Sequence, residues 1–333
     1  MQDLIPQNSW SPAFYLGVFL ASSLFMIWTL GRLEKRGLEG TAIGTLVMPY
    51  CSGLSNLIFA FQMGHSGAYG APMVLQNCLV NNATNLTLLI GLPTLIWGMD
   101  LLPPNKKSKG KAGKSSTDNE RLNRLSLLLT LFAAIFFAGA LWTLAGDGKL
   151  SQRDGWTLVG LFLFWQIFQV FDVLKYNIQQ KRKMSLILIL DALLIFAAGY
   201  VMFQSIDWLL GWFVNQGSGF WGSKGLGWCS GWLMVLPNAF LAFYYAAKKR
   251  ADIAYSSQIG DGHICIPLCI GIYACFIEEV RIPLKNFDAS LLLIGGAIAL
   301  QIVFVLFSGR LPRWLGAVFI AGYGWFLASG LLS

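Results

Sequence analysis

A single acidic residue lies deep inside an apolar segment, where a charge is costly. Asp261 comes ten residues after Ala251, near which the segment begins. At a helical rise of about 1.5 Å per residue, this separation is roughly 15 Å, near the centre of a bilayer about 30 Å thick. A carboxylate at that depth commonly serves the passage of an ion or a proton. The sequence therefore predicts a transport role for Asp261, the alternative being a structural hydrogen bond to an amide on a neighbouring helix.

A histidine two residues further on is a candidate proton relay, because an imidazole titrates near neutral pH. In a regular helix, His263 points about 200° away from Asp261. Both side chains could face one ion only if the helix unwinds, which Gly260 and Gly262 would allow. The alternative is a packed, neutral, hydrogen-bonded histidine.

A second buried acid, Asp191, lies about eight residues into another apolar segment. It is a candidate for a second proton site or ion site. It could equally reach the membrane interface and pair with Lys183 or Arg182. The sequence leaves these two alternatives open.

The cysteines suggest a soft-metal site only weakly. Cys265 and Cys269 are four residues apart and share a helix face, whereas His263 does not lie on that face. Zinc sites use four protein ligands, or three and a water molecule. We therefore predict no bound metal and interpret the cysteines as small apolar side chains. All six lie within or beside apolar runs, which argues against a disulfide framework.

The composition indicates that these segments lie in lipid. Hydrophobic residues make up 56% of the 333 residues and charged residues only 12%, with a mean hydropathy of +0.59. Soluble domains carry about 25% charged residues. Ten segments are long and apolar enough to span a bilayer. They are residues 10–30, 42–63, 69–97, 122–145, 156–174, 184–213, 226–247, 251–277, 289–307 and 311–331.

The loops between these segments differ in charge. Nineteen of the 24 Lys and Arg residues fall on one side, which should be cytoplasmic, so both termini face outward. We expect an integral protein of a bacterial inner (plasma) membrane. The most basic loop is a topology signal beside anionic lipid, and without interleaved aromatic residues it predicts no nucleic-acid partner. The basic residues of the rich side lie at 32–36, 106–124, 175–183, 248–250 and 310–313.

The chain contains an internal repeat. The pattern L-[S/P]-N-x-x-x-A-F occurs around Asn56 in the second predicted helix and around Asn238 in the seventh. The two helices are five positions apart, an odd number, so the predicted halves are inverted. Matched polar helices interrupted by Gly or Pro predict a binding site at the midplane. We divide the chain into the first three helices (1–102), a basic cytoplasmic loop (103–121), helices four and five (122–175) and the second repeat (176–333).

The repeat resembles the cation/calcium exchanger superfamily, which includes sodium/calcium and cation/proton exchangers. That superfamily carries G-[ST]-S-[LM]-P-E on one helix and G-S-N-x-x-[ND] on the next. Residues 233–238 and 260–265 take these places in the second repeat, and residues 51–56 and 80–85 take them in the first. The resemblance implies two inverted five-helix repeats around a central ion site.

The motif positions depart from the superfamily pattern at its acidic ligands. The motif glutamate falls on Asn56 and on Asn238, so both carboxylates become amides. In the second repeat Asp261 replaces the motif serine, and Cys265 takes the last ligand position. The amides of the second motif are kept in the first repeat, at Asn82 and Asn85.

The donors mapped in this way predict which cation is carried. Ca²⁺ takes six to eight oxygens, several of them anionic. A single carboxylate favours Na⁺ or H⁺ over Ca²⁺, although the sequence does not settle which of the three is transported. We predict a secondary antiporter without cofactor and without enzymatic activity, its oligomeric state open, the alternative being a non-transporting scaffold or sensor that retains the exchanger fold. The predicted ligands are Asn56, Asn238, Asn82, Asn85, Ser52, Ser55 and Asp261.

Overall fold

The structure, a computed structural model, describes residues 11–35, 48–65, 67, 70–102, 113–177, 186–215, 223–282 and 287–331. These residues form ten helices, which confirms the all-α fold with ten segments. The helices are α1 (Ser11–Lys35), α2 (Met48–His65), α3 (Ala71–Ala83, Thr84–Leu89 and Ile90–Trp97), α4 (Gly113–Leu144), α5 (Gln152–Asn177), α6 (Leu186–Asn215), α7 (Ser223–Ala247), α8 (Ala251–His263, Ile264–Cys269 and Ile270–Cys275), α9 (Asp288–Phe307) and α10 (Arg313–Leu331).

One helix begins earlier than expected. The sequence predicts a basic loop up to residue 121, whereas α4 already begins at Gly113. The predicted segment included only the apolar residues that would lie in the hydrocarbon of the bilayer. A helix satisfies its own backbone hydrogen bonds, so it can continue out of the membrane through polar residues.

The helices differ in how they meet lipid. Within the described residues, six helices are long and apolar enough to cross a membrane by themselves, and they are α1, α3, α4, α5, α7 and α9. The outer faces of the helices expose large apolar side chains such as Phe164, Phe171 and Phe307. In contrast, α8 carries a run of buried polar residues between Ser256 and His263. Its position inside the bundle shields these residues from hydrocarbon.

Two short antiparallel ribbons display the inverted repeat. Strand β1 (Met99–Asp100) pairs with β4 (Arg310–Leu311), and β2 (Lys149–Ser151) pairs with β3 (Glu279–Arg281). Each ribbon joins the chain leaving the third helix of one repeat to the chain entering the fifth helix of the other repeat. The two ribbons therefore occupy equivalent positions, related by the pseudo-symmetry that superimposes one repeat on the other.

Close helix contacts repeat in the same way. A Cβ added at Gly316 of α10 would lie 2.5 Å from the carbonyl oxygen of Gly91 of α3. In the other half, a Cβ added at Gly155 of α5 would lie 2.7 Å from the backbone nitrogen of Cys275 of α8. Real Cβ atoms do not approach backbone this closely, so glycine is required at both crossings. The third helix of each repeat thus packs tightly against the fifth helix of the other.

The central helices α3 and α8 both widen into a π-helical segment, at Thr84–Leu89 and at Ile264–Cys269. The two segments are 180 residues apart, the same offset that aligns Asn85 with Cys265. In α8, Pro267 explains part of the widening, because proline has no N–H to continue the regular hydrogen bonding. Such π segments commonly occur at functional sites.

Candidate functional site

The carboxyl group of Asp261 lies where α2, α3 and α8 meet, and it is fully buried. Its Oδ1 accepts a hydrogen bond of 3.1 Å from Ser52 Oγ. Its Oδ2 accepts one of 2.6 Å from Asn85 Nδ2 and faces the Cys265 thiol at 3.8 Å. Asp261 therefore faces the protein interior rather than lipid, and the hydrogen bond to an amide on a neighbouring helix is present.

In its ionised form, the carboxyl group of Asp261 orients the amides around it. A carboxylate only accepts hydrogen bonds, so Asn85 must present its NH₂ group to Asp261. The same Nδ2 donates to Asn81 Oδ1 at 2.7 Å. Asn85 Oδ1 then faces α7, where it accepts a hydrogen bond of 3.3 Å from Asn238 Nδ2. The orientation of Asn238 is thereby fixed as well, and its Oδ1 has no hydrogen-bond partner in the part of the chain that the structure describes.

A second amide is oriented by the backbone of α8. Pro267 cannot donate to the carbonyl five residues before it, which is that of Gly262. Asn82 Nδ2 lies 3.5 Å from this carbonyl oxygen instead. A Cβ added at Gly262 would lie 3.2 Å from Asn82 Oδ1, so glycine lets the amide approach. Asn82 Oδ1 has no hydrogen-bond partner among the described residues.

The predicted ligands of α2 lie on the face that contacts Asp261. Ser55 and Asn56 follow Ser52 by three and four residues, which places all three on one side of the helix. All three side chains are buried. Neither the Ser55 hydroxyl nor either amide atom of Asn56 has a hydrogen-bond partner in the described part of the chain.

Unpaired oxygen atoms therefore accumulate around one carboxylate. Leaving a buried polar group without a partner costs about 1–3 kcal/mol. Proteins rarely retain several such groups together unless a ligand satisfies them. A cation would satisfy unpaired amide and hydroxyl oxygens of this kind. Among the described residues, the unpaired oxygens of this cluster are Ser55 Oγ, Asn56 Oδ1, Asn82 Oδ1, Asn238 Oδ1 and Gln258 Oε1, and Thr94 Oγ1 is unpaired further along α3.

The ring of His263 points away from these oxygens, toward α4 and α5. Its Nδ1 lies 3.2 Å from Trp165 Nε1, and its Nε2 lies 3.0 Å from the Thr130 carbonyl oxygen. An indole N–H only donates, so Nδ1 must accept and Nε2 must carry the proton. This is the packed, neutral arrangement. The described contacts of His263 include no direct hydrogen bond to Asp261, which a direct proton relay between the two residues would need.

Asp191 forms an ion pair with Arg32 and so links α6 to α1. The Arg32 guanidinium also lies 4.3 Å from the centre of the Trp28 ring. Asp191 is fully buried, whereas Arg32 is partly exposed. Its expected partners Lys183 and Arg182 lie outside the described residues. This contact favours the alternative in which Asp191 forms an ion pair, although its partner is Arg32 and not Lys183 or Arg182.

This ion pair gives an asymmetric stability prediction. Arg32→Met should lower the free energy of unfolding by about 3 kcal/mol or more, because it takes the ion-pair partner from a fully buried carboxylate. Asp191→Asn should cost less, since the remaining Arg32 can reach water along its flexible side chain. Thermal unfolding of both variants and of the double variant measures these effects. Equal losses in the two single variants would contradict the asymmetry.

Two further residues of this cluster, Asn81 and Gln258, were not predicted from the sequence. Both are fully buried. Helical spacing was the available signal, because Asn81 precedes Asn85 by four residues and Gln258 precedes Asp261 by three. Asn81 also occupies the position in α3 that matches Asp261 in α8 under the 180-residue offset.

The structure also adds a cysteine to the pair considered from sequence. The thiol of Cys78 on α3 is in hydrogen-bonding contact with the thiols of Cys265 and Cys269. Nevertheless, no three His, Cys, Asp or Glu side chains within the described residues are arranged to hold a metal ion. The contacts are those of packed thiols.

Comparisons with known proteins agree with this architecture. The model of a family described as "Sodium/calcium exchanger protein" matches residues 12–171 and 228–330. The structure of the sodium-calcium exchanger NCX_Mj soaked with 2.5 mM Na⁺ and 10 mM Sr²⁺ has a TM-score of 0.70 and 14% sequence identity, covering 96% of this chain and 97% of that chain. NCX_Mj soaked with zero Na⁺ and Ca²⁺ gives 0.68 and 15%, covering 96% and 98%. At such identities the likeness is one of fold. No curated protein matches the sequence.

Proposed function

The chain belongs to the sodium/calcium exchanger protein family, and we propose that it is a secondary antiporter whose central site favours Na⁺ or H⁺ over Ca²⁺. The family match confirms the resemblance carried by the repeated motifs. The similar solved structures are of a sodium-calcium exchanger soaked with Na⁺, Ca²⁺ or Sr²⁺. A cation antiporter in a lipid bilayer is the function that both comparisons support.

One observation carries the ion preference, namely that among the described residues the carboxylate of Asp261 is the single one in the buried oxygen cluster. Asp261 is fully buried, and the oxygens unpaired beside it belong to neutral amides and hydroxyls. One negative charge neutralises one Na⁺ or one H⁺. With Ca²⁺ the same site would keep a net positive charge in a medium of low dielectric constant. An uncompensated buried charge costs several kcal/mol, which disfavours the divalent ion.

The same carboxylate offers a basis for exchange. Na⁺ and H⁺ both neutralise Asp261, and the two cannot do so at once. A bare carboxylate is costly in the membrane interior, so the site is expected to change its side of access only when one of the ions is bound. Mutually exclusive occupancy then couples the movement of one ion to the opposite movement of the other.

Transport in sealed vesicles tests this proposal. Purified protein is reconstituted with a pH-sensitive dye inside, and an inward Na⁺ gradient is applied. We expect alkalisation of the lumen driven by Na⁺, with no uptake of labelled Ca²⁺ above that of protein-free vesicles. Calcium uptake that depends on internal Na⁺, without proton movement, would overturn the ion preference.

A second candidate function is a membrane scaffold or sensor that keeps the fold without transport. It is favoured by the amides Asn56 and Asn238, which stand where the superfamily motif has its glutamates. Thermal unfolding at increasing Na⁺, at constant ionic strength set with a bulky organic cation, separates the two functions. A site that has lost its ions should show no stabilisation specific to Na⁺.

A further inference from the structure

Gln258 is a fully buried residue one helical turn before Asp261 on α8. A separation of three residues places the two side chains on the same side of the helix. Both residues lie beside Asn238 of α7. Gln258 donates a hydrogen bond to the backbone oxygen of Asn238. The side-chain amide of Asn238 donates to Asn85, which in turn donates to Asp261. Gln258 thus adjoins the oxygen cluster on its Ala251 side.

The orientation of the Gln258 amide is fixed by its neighbours. Its Nε2 donates to the Asn238 backbone oxygen at 3.3 Å and to Ser257 Oγ at 3.0 Å. Turning the amide over would set Oε1 against that carbonyl oxygen, and two acceptors repel each other. Ser257 Oγ cannot relieve this contact, since it already donates to the Ala254 carbonyl at 3.0 Å. Gln258 Oε1 must therefore point elsewhere, and it has no hydrogen-bond partner in the described residues.

A second buried glutamine shows what full pairing looks like. Gln301 of α9 donates from Nε2 to the Leu86 carbonyl at 2.9 Å, and its Oε1 accepts from the Tyr255 hydroxyl at 2.9 Å. Gln301 therefore joins three helices with both ends of its amide satisfied. Gln258 is equally buried, yet only its donor end is satisfied, so its oxygen is held in place for something other than packing.

We propose that Gln258 Oε1 is a further ligand of the transported cation, adding an oxygen about one helical turn from Asp261. This inference rests on the proposed function and deepens it, since a neutral amide oxygen suits a hard monovalent cation such as Na⁺. The matching position on α3, 180 residues earlier, holds Cys78, whose sulfur a hard cation does not favour. The inverted repeats therefore provide an asymmetric ligand set, with the additional oxygen on the α7–α8 half.

Substitution of the two glutamines tests this ligand role. Gln258→Leu should raise the Na⁺ concentration for half-maximal flux and for half-maximal thermal stabilisation about tenfold, which corresponds to about 1.4 kcal/mol. The maximal flux should stay within about threefold, because Asp261 remains. Without Na⁺ the variant should be somewhat less stable than the wild type, since leucine loses the two hydrogen bonds that Nε2 donates, so the Na⁺ dependence is the deciding readout. The matched control Gln301→Leu should lose thermal stability while its Na⁺ dependence stays unchanged.

The ligand role of Gln258 and the proposed antiport function fail on different results. A half-maximal Na⁺ concentration for Gln258→Leu equal to that of the wild type overturns the ligand role but leaves the antiporter intact. A wild type without Na⁺-dependent flux or stabilisation overturns the proposed function, and this inference with it. If Gln258→Leu does not fold, the unbranched variant Gln258→Met is measured in its place against the same two outcomes.

Discussion

Asp261→Asn is expected to lower Na⁺-driven proton flux at least about 100-fold, because the amide can neither neutralise Na⁺ nor carry a proton. The loss corresponds to about 2.7 kcal/mol of ion binding. An amide of the same shape can keep the contacts with Ser52 and Asn85, so the protein should still fold. In wild-type protein, Na⁺ at about 100 times its dissociation constant should stabilise the folded state by about 2.7 kcal/mol, and in the variant by none. Vesicle flux and thermal unfolding give the two readouts.

The matched control for this variant is Asp191→Asn, the same substitution at another fully buried acid. Asp191 bonds to Arg32 between α1 and α6, so its replacement should lower stability yet leave the Na⁺-dependent stabilisation in place. Unchanged flux in Asp261→Asn would refute the assignment of Asp261 to the ion site. Loss of Na⁺-dependent stabilisation in Asp191→Asn would instead make Asp191 the second ion site that its buried position allowed.

Calcium binding should appear when the two amides that replace the motif glutamates become acids again. Asn56→Asp combined with Asn238→Asp adds two charges with little change in volume. Without Ca²⁺ the double variant should be less stable, because Asn238 loses the NH₂ group that bonds to Asn85 Oδ1 and three carboxylates then crowd one site. With Ca²⁺ it should regain stability, since several anionic oxygens are what this ion requires. We expect its Ca²⁺ affinity to exceed that of the wild type at least about tenfold.

Asn77→Asp provides the control for that experiment. Asn77 is a fully buried asparagine on α3 that bonds to Ser230 Oγ at 3.0 Å, and no carboxylate is among its described partners. Its substitution should destabilise the protein to a similar extent without rescue by Ca²⁺. Calcium titrations followed by thermal unfolding compare the variants. Equal rescue of Asn77→Asp would mean that Ca²⁺ acts on buried acids in general, and the site assignment would then fail.

The geometry of the carboxyl site explains why some residues were found from sequence and others were not. Asp261 stands out because a charge in an apolar segment is rare, whereas Asn81 and Gln258 resemble the other polar residues of the buried helices. Their significance depends on which atoms remain unpaired after Asn85 and Asn238 have been oriented. Such an outcome follows from contacts between α3, α7 and α8, which the spacing within any one helix does not contain.

The predictions for His263 and Asp191 likewise depended on what the spacing within one helix reveals and what only contacts between helices reveal. The angle of about 200° between helical positions two residues apart already separated His263 from Asp261, and the ring indeed packs toward Trp165 and Thr130. Pairing of Asp191 was among the alternatives, but its partner Arg32 is 159 residues away in sequence. Nearby charges such as Lys183 were the natural candidates because distant ones cannot be ranked without the fold.

The sequence by itself determined the membrane environment, the number of helices and the inverted repeat, because these depend on apolar length and on a motif repeated five helices apart. It also yields the side that faces the cytoplasm, which stays a prediction based on basic loops. Only the tertiary structure decided which polar atoms meet and which stay unpaired. Hydrogen bonds act over about 3 Å, so a ligand set is defined by helices that pack together and not by their order along the chain.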